Sequence, residues 1–210
     1  MTEFSEKTAE MEKLTSPIEV RADTEVLTSL QKDEVMASLI RRFGPYSWAL
    51  TPPFQTLARA IVGQRISERS AQAVFTRLEE RTGLEPSTLR STPRAELRSL
   101  GLPESKVTYL YNVAAVAEEG GLNDLDDVSS DAVIRHLTKI KGVGPWTAHM
   151  VLMFSLGRLD VWATGDLGVV KVAERLYGAT DRAALDALGE RFAPYQSAAV
   201  WYFWQFTLSR

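Results

Sequence analysis

The chain has no cysteine. That excludes disulfide bridges, cysteine-ligated zinc and cysteine-ligated iron–sulfur clusters. Histidine is nearly as scarce: His136 and His149 are the only two in 210 residues, so a histidine zinc site is poorly supported. No run of about 18 apolar residues occurs, so the ordinary signature of a membrane-crossing helix is missing. The opening MTEFSEKTAEMEK is too polar for a secretory signal peptide, and the expected location is the cytoplasm.

An excess of positive charge is missing too. The formal net charge is −3, whereas a generic nucleic-acid binder is basic. The deficit is local: residues 1–31 carry −4 and leave the rest of the chain at +1. A near-neutral body can still hold phosphates through a few placed amides and side chains, with a shallow salt dependence.

Strand patterning is also absent. There is no sustained period-2 alternation, and no Asn-Gly or Asp-Gly pair between β-branched runs. What is there is a succession of short helical segments with tight caps. Asp33 caps EVMASLIRRF, which Gly44-Pro45 stops; Pro52-Pro53 opens FQTLARAIVGQ, with Phe54, Leu57, Ile61 and Val62 as an apolar stripe. Ser67 caps ERSAQAVFTRLEERTG, Pro93 starts RAELRSLG, and Pro103 starts ESKVTYLYNVAAVAEEGG. Ser129 or Ser130 caps DAVIRHLTKI, and Pro145 begins WTAHMVLMFSLG. LGVVKVAERLYG, DRAALDALGERF and PYQSAAVWYFWQFTLSR follow. The fold class is all-α, in one large domain or two small lobes. Residues 1–30, polar and acidic, are expected to be partly disordered.

The most informative stretch runs from Leu137 to Lys171. It holds Gly142-Val143-Gly144, then Pro145, an apolar helix and a single acid, Asp166. A Gly-x-Gly turn between helices presents unpaired N–H groups at a helix N-terminus, which is an anion site suited to a phosphodiester. An ordinary αα-corner also uses glycine, so the spacing alone leaves both readings open. Asp166 is likewise placed to cap LGVVKVAERLY.

Leu137 through Lys171 resembles the helix-hairpin-helix, Gly/Pro-rich loop and aspartate of the HhH-GPD DNA glycosylase superfamily. Three further segments resemble its alkylated-base branch, the 3-methyladenine DNA glycosylase II family. Pro53 to Leu57 with Ile61 to Ser67 is similar to PFxxLxxAIxGQQxS. Gly101-Leu102 with Lys106 to Ala114 is similar to GxxxxKxxYLxxLA, and Pro194 to Trp204 to PWRSxAAWYLWR. The likeness covers about residues 30–210.

The resemblance implies two helical lobes around a cleft. One spans 53–158 and holds the helix-hairpin-helix at 130–156; the other joins 31–52 to 159–210 and carries Asp166. It implies excision of alkylated purines, 3-methyladenine and 7-methylguanine, from double-stranded DNA by base flipping. The alternatives are a glycosylase for deaminated bases or ethenoadenine, and a non-catalytic helix-hairpin-helix DNA-binding protein. Asp166 is then the catalytic acid, in Thr-Gly-Asp-Leu-Gly where family members often have Asp-Asp-Leu-Gly. Bifunctional members carry a nucleophilic lysine just after the hairpin proline. Here that residue is Trp146, so a monofunctional hydrolase is expected.

The base pocket implied by resemblance contains Trp146 and Trp204, with Met150 at a position that is sometimes aromatic and Trp201 on the face of Trp204. Aromatic residues at helical spacing are equally at home in a core. The DNA-facing set is Gln64, Arg65, Gly142, Val143, Gly144 and Thr147. Arg65 either fills the gap left by the flipped base or merely caps the preceding helix. Lys106, Arg69 and Lys171 are phosphate contacts or solvated helix-face residues. No cofactor is expected beyond a structural sodium or potassium ion on hairpin carbonyls near Ile140 and Gly142, and no metal held by side chains. The partner is duplex DNA containing damaged bases, with no membrane, and the protein is expected to be a monomer, nucleoid-associated if bacterial.

Overall fold

The computed structural model describes residues 18–209. Among the described residues there are twelve α-helices, a 3-10 turn at Leu125–Asp127 and a two-stranded ribbon. Strand β1 (Glu19–Arg21) pairs antiparallel with β2 (Ser47–Ala49), Val20 opposite Trp48. The helices are α1 (Thr24–Leu30), α2 (Glu34–Phe43), α3 (Pro53–Gly63), α4 (Glu68–Thr82), α5 (Pro86–Ser91) and α6 (Arg94–Ser99). They continue with α7 (Glu104–Glu118), α8 (Ser130–Leu137), α9 (Pro145–Phe154), α10 (Leu167–Tyr177), α11 (Arg182–Arg191) and α12 (Gln196–Leu208).

Local chemistry sets many of the boundaries. The side chains of Asp33, Ser67, Ser129, Asp166 and Asp181 each accept a hydrogen bond from the N–H three residues on, at the starts of α2, α4, α8, α10 and α11. Amphipathic spacing orients the helices: α2 buries Met36, Leu39 and Ile40. In α9, by contrast, Ala148, Met150, Val151, Leu152 and Met153 are all buried, so this helix runs through the core.

The packing falls into two groups. Helix α3 packs against α4, α7 and α9, with α5 and α6 on α7 and α8 on α9. Helix α12 packs against α2 and α10, with α1 on α2 and α11 on α10. Polar bonds stitch the groups together around the end of α9. The buried Trp48 indole donates to Met153 O at 2.9 Å, and Thr51 N donates to Phe154 O at 2.8 Å. Ser197 Oγ donates to Arg158 O and accepts from Val161 N.

The amino-terminal segment, expected to be partly disordered over residues 1–30, is ordered from Ile18 onward. Residues 1–17 lie outside the described residues. Asp23 caps α1, which buries Val26 and Leu30 against the core. The acidic composition misled for this part because Glu19, Asp23 and Glu25 are exposed while Val26 and Leu30 are buried. The ribbon was unreadable because three-residue strands are too short to show alternation.

Candidate active site

The hairpin between α8 and α9 is held by Ile140 N on Leu137 O and Val143 N on Ile140 O, both at 3.0 Å. Gly142 has φ +107°, in the region L side chains avoid, and a β-carbon there would lie 2.2 Å from Cγ of Tyr109. The fold therefore demands glycine at 142. It does not at 144, where φ is −97° and a β-carbon would meet nothing within 4 Å. Gly144 instead leaves open space in front of the α9 N-terminus, where the first N–H groups have no intrahelical acceptor. The Val143 side chain is buried and Thr147 is 2% exposed. Neither side chain is therefore presented to a ligand.

Helix α7 is the platform beneath. Lys106, Tyr109 and Asn112, three residues apart, share one face. Lys106 Nζ donates to Val62 O at 2.6 Å, near the end of α3; Tyr109 lies under Gly142; Asn112 Nδ2 donates to Lys141 O at 3.0 Å. Lys106 is thus buried, with its pKa lowered by desolvation, and is not the phosphate contact the sequence offered. Arg69 and Lys171 are exposed.

The α3–α4 loop is tied to the hairpin as well. Gln64 Nε2 donates to Gly142 O at 3.1 Å and reaches Thr147 Oγ1 at 3.5 Å. Arg65 next to it is exposed and has φ +59°, a strained conformation for a side-chain-bearing residue. Ile66 follows, 43% exposed.

Asp166 sits where the two groups of helices meet. Its Oδ1 accepts from Val169 N at 3.0 Å, which caps α10, and its Oδ2 accepts from Trp146 Nε1 at 2.9 Å. Gly168 leaves room beside it: a β-carbon there would be 2.9 Å from Asp166 Oδ1 and 3.8 Å from Trp204 Cδ1. Trp204 stacks on Phe154 (centroids 5.8 Å, interplanar 20°), and Trp48 meets Phe154 edge-on. Asp166, Trp146 and Trp204 thus come together. Met150 is only 6% exposed, one turn along α9 from Trp146. Trp201 is not brought to this group; its ring contact is with Tyr202.

Sequence reasoning missed Phe154, although Trp146, Met150 and Phe154 are spaced four apart on one helix face. It also passed over Leu167, which is 74% exposed directly after Asp166.

Residues 58–193 match the family model for HhH-GPD superfamily base excision DNA repair proteins. The chain belongs to that superfamily. DNA-3-methyladenine glycosylase 1 of Schizosaccharomyces pombe is 28% identical over 210 residues, 90% of this chain and 92% of that one. A solved Schizosaccharomyces pombe 3-methyladenine DNA glycosylase in complex with abasic DNA aligns with TM-score 0.79 at 27% identity, over 87% of this chain and 96% of the other. The DNA-3-methyladenine glycosidase of Bacillus halodurans aligns with TM-score 0.71 at 34% identity, over 90% and 91%. Relatives of this breadth are enzymes that hydrolyse N-glycosidic bonds.

For an HhH-GPD protein the hairpin cation is the remaining question of composition. Among the described residues no group of three or more His, Asp and Glu stands together to hold a metal. An ion at the hairpin would have backbone oxygens alone. Ile140 O already accepts from Val143 N, and Gly142 O from Gln64 Nε2. Each keeps a second lone pair, which such an ion would have to use. Also among the described residues, no helix is long and apolar enough to cross a membrane.

Proposed function

We propose that this chain is a monofunctional DNA glycosylase that removes alkylated purines, 3-methyladenine and 7-methylguanine, from duplex DNA as a cytoplasmic monomer. The observation that carries this reading is the Asp166 carboxylate, held at both oxygens beside the Trp204–Phe154 stack.

Alkylation at N3 or N7 makes the purine cationic and weakens its bond to the sugar. The flipped base rests against the face of Trp204 that Phe154 does not cover. An electron-rich indole favours a cation by roughly 1–2 kcal/mol. The bond from C1′ to the base breaks, and its electron pair goes to the base, which leaves neutral. Positive charge gathers on C1′ and O4′ of the sugar, and the fixed carboxylate of Asp166 stabilises it. The oxygen of a water adds to C1′ and its proton passes to solvent, leaving an abasic site. A good leaving group needs no general acid. The free N–H groups at the head of α9 and the exposed Arg65 hold the backbone and the gap in the duplex. A sodium or potassium ion on the Ile140 and Gly142 carbonyls would add positive charge under a phosphate.

The test is product analysis on methylated duplex DNA. The reading expects free alkylated base and an abasic strand that is cut only by added alkali, with no adduct trapped by borohydride. A borohydride-trapped adduct would mean amine chemistry. Release of neutral deaminated bases instead would refute the cationic-pocket argument, and binding without any release would make the chain a DNA-binding module.

A further inference from the structure

We infer that Trp146 acts through its indole N–H as a positioning residue for Asp166, rather than as a stacking wall for the base. This inference rests on the glycosylase reading above for its kinetic consequence, but not for its structural one.

A helix cap needs only one carboxylate oxygen, and Val169 N takes Oδ1 at 3.0 Å. Left alone, Oδ2 would be free to turn toward water. Trp146 Nε1 takes it at 2.9 Å, so the carboxylate plane is fixed at two points by donors from two different helices, α10 and α9. Indole suits this task because it is a donor only. It cannot accept the carboxylate's water or exchange a proton with it, as a phenol or imidazole could.

The neighbours are shaped for the clamp. Gly165 lets the loop before α10 approach the head of α9: its β-carbon would lie 3.4 Å from Trp146 Cβ. Gly168 keeps the other oxygen uncrowded, since a β-carbon there would press on Oδ1 at 2.9 Å. Trp146 is itself partly buried, and its polar edge is committed to Asp166. Trp204, with one face on Phe154, is the ring left to receive a base.

The test has an arm that needs no activity. In the ¹H–¹⁵N spectrum of the DNA-free protein, the Trp146 indole resonance should move in Asp166→Asn and its proton should exchange faster with water. An indole resonance unmoved by that substitution overturns the inference. The second arm is single-turnover release of alkylated base by Trp146→Phe, which keeps a ring and loses the donor. The rate constant should fall about 10- to 100-fold, the effect of one hydrogen bond to a charged group, while affinity for abasic duplex stays within about twofold. In the Asp166→Asn background the same change should cost nothing further. Equal losses in both backgrounds, or lost affinity with the rate intact, would make Trp146 a wall and overturn the inference. A wild-type protein inert on every lesion would sink the glycosylase reading, and the indole resonance would still decide the clamp.

Discussion

Replacing Gly142 with alanine strikes the hairpin at one atom. The new β-carbon would sit 2.2 Å from Tyr109 Cγ and 2.5 Å from Tyr109 Cβ. The Cβ contact matters most, because that atom is fixed to the backbone of α7 and cannot rotate away. Overpacking of this kind costs about 1–3 kcal/mol. The backbone at φ +107° adds about 1–2 kcal/mol for a residue with a side chain. Together they remove about 2–5 kcal/mol from a domain whose whole stability is of order 5–15 kcal/mol. For a chain of this size that lowers Tm by about 4–20 °C. Urea unfolding and a thermal melt measure both quantities. Gly144→Ala is the control, two residues away, with an ordinary φ and open space around its β-carbon; it should unfold within about 0.5 kcal/mol of wild type. Because that space is where a phosphodiester would approach, the same control should lose affinity for abasic duplex. A Gly142→Ala protein as stable as wild type would refute the packing argument, and equal losses at 142 and 144 would show that the hairpin resists change for some other reason.

Two further outcomes follow from the core. A β-carbon on Gly189 would lie 2.5 Å from Trp162 Cδ1, and Trp162 is pinned by its bond to Leu185 O; Gly189→Val should destabilise by about 2 kcal/mol or more in urea unfolding. Burial lowers the pKa of His149, whose Nδ1 is sealed from water without a partner. The unfolded chain, with histidine near the usual ~6.5, then binds the proton more readily than the folded one, so this residue makes stability fall as pH drops from about 7 toward 5. The Tm of His149→Leu should depend less on pH across that window; an unchanged slope would acquit His149.

The parts of the fold that were legible in the sequence were the local ones. Asp33, Ser67, Ser129 and Asp166 announce helix starts because a cap and its N–H are three residues apart. The hairpin glycines and the lone acid could be found the same way. What could not be read was contact through space. Lys106 looks like any solvated lysine until α3 brings the Val62 carbonyl to it from 44 residues away. Thr147 and Val143 stand in a motif expected to face a ligand, yet both are buried, Val143 in the hairpin and Thr147 in the first turn of α9. Trp146 and Asp166, 20 residues apart, were each singled out, but no spacing rule joins the end of an indole to one carboxylate oxygen.

In the proposed reaction Asp166 performs the chemistry beside a pocket made for cationic bases. The most direct measurement is single-turnover release of 3-methyladenine, 7-methylguanine, hypoxanthine and uracil from duplex DNA by wild type and Asp166→Asn. Wild type should release the two methylated purines in preference, and Asp166→Asn should lose at least about 100-fold in rate, the scale of one electrostatic stabiliser removed, while still binding abasic duplex. An Asp166→Asn protein that releases base at the wild-type rate would contradict the account and leave Asp166 as no more than the cap of α10.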